Sequence, residues 1–147
     1  MKPLRFTDRF KTLFSMAIRL SETVEADGVL ILLDGAADWS RLRKLGDDAR
    51  IIVAADTAQE LEGANEAGLL PVVVHMPDSP VYDRLTQALL EAVADDMLVP
   101  GSRVVTLYSG FDQDAIDSVS VINLGEHLDR LTGRDLRLLE TRVPLET

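Results

Sequence analysis

The stretch Gly28–Trp39, GVLILLDGAADW, decides the fold. Val29-Leu30-Ile31-Leu32-Leu33 is an unbroken apolar run between Gly28 and Asp34-Gly35. A strand with one wet face alternates polar and apolar residues, so an unbroken run marks a strand covered on both faces, central to its sheet. Asp34-Gly35-Ala36 then poses a choice: it is either a chemical signature or a strand running out into a loop.

Upstream of this strand, Phe10, Leu13, Ala17, Leu20 and Val24 recur at three- and four-residue steps, which predicts one long helix over Phe6–Val24. Downstream, Asp38 is placed to cap a short helix through Leu45 that Gly46 closes. Ile51–Ala55 reads as the second strand. Asp56 or Thr57 can cap a helix running to Ala67, with Gly68 as a left-handed stop before a third strand, Leu70–Val74. Ser79 and Pro80 read as cap and first-turn residue of a helix with the stripe Val81, Leu85, Leu89, Val93 and Met97.

Pro100-Gly101 turns the chain into a strand at Arg103–Tyr108, and a last strand follows at Ser118–Leu124. The polar loop Ser109–Asp117 between them is too short for a parallel crossover, so the last strand is expected to run antiparallel, at or near an edge. The prediction is a three-layer α/β/α domain whose five-stranded sheet is parallel except for that last strand. It occupies residues 1–125, and residues 126–147 read as a helical linker or tail toward a further domain.

Composition narrows the function. The chain has 147 residues, 46% of them hydrophobic, enough for one domain with a real core. With 25 acidic against 15 basic residues its formal charge is −10, which repels nucleic-acid backbones and anionic lipid. The absence of cysteine removes disulfides, thiolate catalysis and zinc-thiolate sites, and fits a reducing, cytoplasmic setting. No apolar run approaches the roughly 20 residues of a membrane span, and no signal-peptide layout opens the chain.

In a parallel sheet, ligands bind beyond the carboxyl ends of the strands. Those ends supply Asp34, Gly35 and Trp39, then Asp56 and Thr57, then His75, Asp78 and Ser79, and finally Ser109, Gly110 and Asp112. The crevice they outline is expected to be acidic, which disfavours a bare phosphate and leaves a cationic ligand or a divalent metal conceivable. The same Asp and Ser types also cap helices. His75 has no nucleophile at a defined spacing, and Trp39 suits packing at a helix start as well as ring stacking. Neither common phosphate-cradling glycine motif is present. No catalytic residue, resident metal site or cofactor is predicted.

The order of elements resembles a known family. FSMAIRLSETVEADGVLILLDG, ARIIVAADT, AGLLPVVV, ALLEAVADDMLVPGSRVVTLYSGF and IDSVSVINL together resemble the C-terminal domain of pyruvate kinase over Leu13–Leu124. That resemblance implies a regulatory unit without the kinase's catalytic residues. In some kinases the domain binds a sugar bisphosphate through a Ser/Thr- and Arg-bearing loop after the first strand. Here the loop reads Asp34-Gly35-Ala36-Ala37-Asp38, with two acids and no hydroxyl, so that effector site does not carry over.

A closer similarity is to the N-terminal domain that precedes the cyclase domain in bacterial diadenylate cyclase proteins of the DNA-integrity-scanning type. It is carried by the chain from Ser79 to Thr147, from SPVYDRLTQALLEAVADDMLVPGSRVV to TRVPLET. It implies a cyclase domain beyond Thr147 in the same polypeptide. Cyclases of that family need their Asp-Gly-Ala together with a Gly-Thr-Arg-His-Arg-type segment to hold ATP, and this chain has no such segment. Asp34-Gly35-Ala36 is therefore a strand end. The reading is a non-catalytic regulatory, sensory or assembly domain, associated with cyclic di-AMP synthesis, with a small-molecule effector and a homo-oligomer as expected partners. The alternative is a stand-alone small-molecule or divalent-metal-binding protein, or a small enzyme, using the acidic crevice.

Overall fold

A computed structural model of the protein describes residues 4–112 and 115–126; the expected linker from His127 onward lies outside them. The central strand, β1 (Gly28–Leu32), is buried at every position. It pairs in parallel with β2 (Ile51–Ala55) on one side and with β4 (Arg103–Tyr108) on the other, Val29 lying opposite both Ile51 and Val105. β3 (Leu70–Val73) adds to β2 in parallel, and β5 (Ser118–Asn123) adds to β4 antiparallel. The order is β3-β2-β1-β4-β5, which places the antiparallel strand at an edge, as expected. Pro71 is tolerated in β3 because that strand forms the opposite edge.

Strand alternation divides the core into two layers. Val29 and Ile31 face a cluster with Phe10, Phe14, Ala17, Trp39 and Leu42; Leu30 and Leu32 face one with Leu85, Ala88, Leu89 and Ala92. The first cluster lies under α1 (Asp8–Thr23) and α2 (Trp39–Gly46), the second under α3 (Val81–Ala94). Each fully buried Leu, Ile or Phe contributes about 1.5–3 kcal/mol, so both helical layers are held mainly by apolar burial.

The helices differ from expectation in detail. α1 opens at Thr7, whose Oγ1 accepts the Phe10 amide at 3.1 Å. Its deepest face is Phe10, Phe14, Ala17 and Ser21, about one residue round from the expected stripe, with Leu13, Leu20 and Val24 only partly buried. Ser21 is accommodated because its hydroxyl donates to the Ile18 carbonyl at 2.6 Å. α2 is capped by Asp38, as expected, its Oδ1 accepting the Arg41 amide at 3.1 Å. At α3 the cap position belongs to Pro80, which makes no side-chain cap, so Ser79 is not the cap it was expected to be.

The helix expected from Asp56 or Thr57 to Ala67 shrinks to one 3-10 turn, Gln59–Leu61, followed by turns. Its start signal is intact: Thr57 Oγ1 accepts the Glu60 amide at 3.3 Å, while Glu60 Oε1 accepts the Thr57 amide at 3.1 Å. Two features stop it. Trp39 Nε1 donates to the Glu62 carbonyl at 2.7 Å, an acceptor that a continuing helix needs for its own next turn. Gly63 then takes φ +92°, with the Trp39 ring 3.2 Å from where a Cβ would stand. Gly68 is left-handed at φ +89°, as expected.

Candidate functional site at the carboxyl ends of the strands

The parallel strands end on the side where α3 begins, and one side chain on α3 organises that end. Helical side chains lean toward the helix N-terminus. Arg84, in the first turn and a half of α3, therefore reaches back over the ends of β1 and β2. Its NH2 lies 3.1 Å from Asp56 Oδ2 and 3.5 Å from the Leu33 carbonyl, and its NH1 lies 3.5 Å from Asp34 Oδ1. The arginine side chain is 11% exposed, Asp56 17% and Asp34 45%, so the cation is buried between one shielded and one half-exposed carboxylate. Arg84 Nε is buried and has no hydrogen-bond partner among the described residues. Asp56 uses its other oxygen to accept the Met76 amide at 3.2 Å, which ties the β3–α3 connection to the same cluster.

Beside this cluster a cleft of about 600 Å³ opens. Leu32 and Asp34 enter it from the end of β1, and Pro77, Ser79 and Pro80 from the β3–α3 connection. Val81 and Arg84 of α3 and Ser109, Gly110 and Phe111 beyond β4 complete the wall. Gly110 and Phe111 are fixed by Asp117. Its carboxylate accepts the amides of Gly110 at 2.8 Å, Phe111 at 3.2 Å and Asp112 at 2.7 Å, and the Ser118 hydroxyl at 2.9 Å. Desolvation alone raises the pKa of Asp117. The backbone hydrogen bonds from Asp112 and Gly110, the Ser118 hydroxyl and the Phe111 amide outweigh it and hold the carboxyl below its ordinary value. Successive amides converging on one anion form a nest, here filled by the chain's own carboxylate. Phe111 leaves that loop with its side chain 92% exposed at the rim.

Of the residues singled out from the sequence, Asp34, Ser79, Ser109 and Gly110 line this one cleft, and Asp56 stands behind it across Arg84. The others are elsewhere. Gly35 is buried beside Asp34. Trp39 is 8% exposed and packs into the α1/α2 layer, its indole N–H taken by Glu62. Thr57 belongs to the turn with Glu60. His75, at φ +59°, and Asp78 are exposed outside the cleft. Asp112 lies 3.9 Å from Arg9.

Asp34 and Asp56 share one cation, so the crevice is half neutralised at its base and keeps the acidic sign expected of it. Sequence reasoning passed over Arg84, although a signal exists. It lies three residues after Val81 and four before Ala88, a charge on the apolar stripe of α3. Among the described residues no group of three or more His, Asp or Glu side chains is arranged to hold a metal ion. Nor is any described helix long and apolar enough to cross a membrane.

Over residues 9–132 the chain matches a family described as "Probable sensor domain DacZ_P". No curated protein matches it.

Proposed function

The chain belongs to the DacZ_P family of probable sensor domains, and from that premise we propose that it senses a small molecule in the cleft beside Arg84. In this reading it passes the occupancy of that cleft to a diadenylate cyclase domain in the same cytoplasmic polypeptide. The chain is itself non-catalytic: alone, it is expected to make no cyclic dinucleotide from ATP. Its fold is proposed to be that of the pyruvate kinase C-terminal domain, with the sugar-bisphosphate site lost.

The observation that carries the reading is the nine-tenths-buried Arg84 beside a cleft at the strand ends. Buried polar groups without a partner are few in folded proteins, and each calls for an explanation, which a ligand accepting from this guanidinium would supply. The same arginine joins β1 through Asp34, β2 through Asp56, and the β3–α3 connection through Asp56 and Met76. A ligand that re-partners it acts on the seating of α3 against the sheet.

The test has two arms. In the first, the melting temperature of the chain is measured across a broad panel of uncharged, anionic and cationic metabolites. A stabilising ligand is expected, with the effect lost in Arg84→Met. In the second, the reading frame beyond Thr147 is sequenced, and cyclic di-AMP output of the full-length protein is followed with and without that ligand. A panel with no stabilising member, or a frame without a cyclase domain, contradicts the corresponding half of the proposal.

A further inference from the structure

We infer that the cleft takes an uncharged ring bearing neighbouring hydroxyls, such as a free sugar or the ribose of a nucleoside, and discriminates against its phosphate ester. The inference rests on the sensor reading above and names the chemistry of its ligand.

Charge disfavours the phosphate ester. One guanidinium between Asp34 and Asp56 leaves the cluster a net negative charge, within a chain of formal charge −10. Of the two carboxylates Asp34 is the half-exposed one, at 45%, so an incoming phosphate meets like charge before it reaches Arg84.

Hydrogen-bonding capacity favours paired hydroxyls. Of the five N–H groups of Arg84, three point at acceptors among the described residues, two of those only at 3.5 Å, and Nε at none of them. Asp34 offers the complement, a carboxylate whose one hydrogen-bond contact among the described residues is that at 3.5 Å. A donor with spare N–H groups next to an acceptor with spare lone pairs matches two adjacent hydroxyls. One donates to Asp34 and its neighbour accepts from Arg84, because each hydroxyl does both. Neither step adds charge to the cluster. Ser79 and Ser109 bring further hydroxyls from opposite walls, and the exposed Phe111 offers an aromatic face for the apolar side of a ring. A cleft of about 600 Å³ accommodates ligands from a monosaccharide to a nucleoside.

The test is calorimetric titration of the whole chain with glucose, ribose and adenosine, each beside its phosphate ester, and with fructose 1,6-bisphosphate. At least one uncharged member is expected to bind with a Kd of about 1 mM or tighter. Its ester should bind at least about tenfold more weakly, and Asp34→Asn should weaken the uncharged ligand by about tenfold. Ser109→Ala, a smaller change, should weaken it less while leaving the melting temperature unchanged.

Tighter binding of an ester, or binding indifferent to both substitutions, overturns the inference. So does silence from the sugars and adenosine while another metabolite class stabilises the chain, an outcome that leaves the sensor reading standing. Silence from both panels sinks the two together.

Discussion

Arg84 NH2 lies 3.1 Å from Asp56 Oδ2 across 28 residues of sequence, and this one ion pair fastens α3 to the end of β2. Both side chains are largely shielded from water, so removing Arg84 leaves Asp56 without its counter-charge, and removing Asp56 leaves Arg84 only Asp34, at 3.5 Å.

Arg84→Met is expected to cost about 1–3 kcal/mol of unfolding free energy, the penalty of a stranded polar partner rather than of lost packing. Adding Asp56→Asn to it should cost much less than the sum of the two single changes. Denaturant unfolding of the four-member cycle measures this; additive costs would show that the two side chains do not interact.

The turn after Gln59–Leu61 is expected to depend on Trp39. Trp39→Phe keeps a buried ring but loses the 2.7 Å bond to Glu62, costing about 0.5–1.5 kcal/mol. Gly63→Ala should cost at least as much, because φ +92° is strained for any residue with a Cβ and the Trp39 ring is already 3.2 Å away. Neither change should alter ligand binding, since neither residue lines the cleft. Melting curves combined with a ligand titration check both parts.

Asp117 gives the β4–β5 loop a pH dependence of defined sign. Its folded pKa is lowered from the ordinary 3.8, so its contribution is fully present above that value and is lost as pH falls through the lower folded pKa. Protection of the Gly110 and Asp112 amides against exchange, relative to their intrinsic rates, should be high above pH 3.8 and fall away as pH drops through the lower folded pKa. In Asp117→Asn it should be low throughout that range. Equal protection in the variant would place the order of the loop elsewhere.

Self-association is expected to run along β5. This edge strand, SVSVIN, carries no charge and no proline, and Val121 is 42% exposed on it. Among the described residues no strand pairs with its outer edge; backbone groups left open beside such side chains invite pairing with another strand, and two copies can satisfy the need symmetrically. Light scattering should find a dimer that Val121→Lys converts to a monomer. A monomeric parent chain contradicts the expectation.

How much of this was legible in the sequence follows the range of the forces involved. Continuous apolar runs such as Val29–Leu33 and Ile51–Ala55 read as strands in a chain that alternates them with helical stripes; β2 and β4 fall where they were read, and β1 lies one residue earlier. Asp38 acts within a few residues of itself and caps α2 as expected; Gly68 takes the expected left-handed φ, although no helix runs up to it for it to stop. The helix after Asp56 failed because its terminator is the indole of Trp39, 23 residues away. The same holds at the cleft. The chain positions of Asp34, Ser79, Ser109 and Gly110 could be read from the ends of the strands. That Arg84 lies between two of the acids is settled by tertiary distances spanning 28 and 50 residues, which no local pattern encodes.

The central claim, that the cleft beside Arg84 is the sensing site, is tested most directly by amide chemical-shift mapping of the isotope-labelled chain titrated with a stabilising ligand. The account predicts saturable shifts concentrated at Asp34, Ser79–Arg84 and Ser109–Phe111, abolished together by Arg84→Met. Shifts centred at the opposite end of the sheet, around Ser21, Asp27 and Arg50, would contradict it.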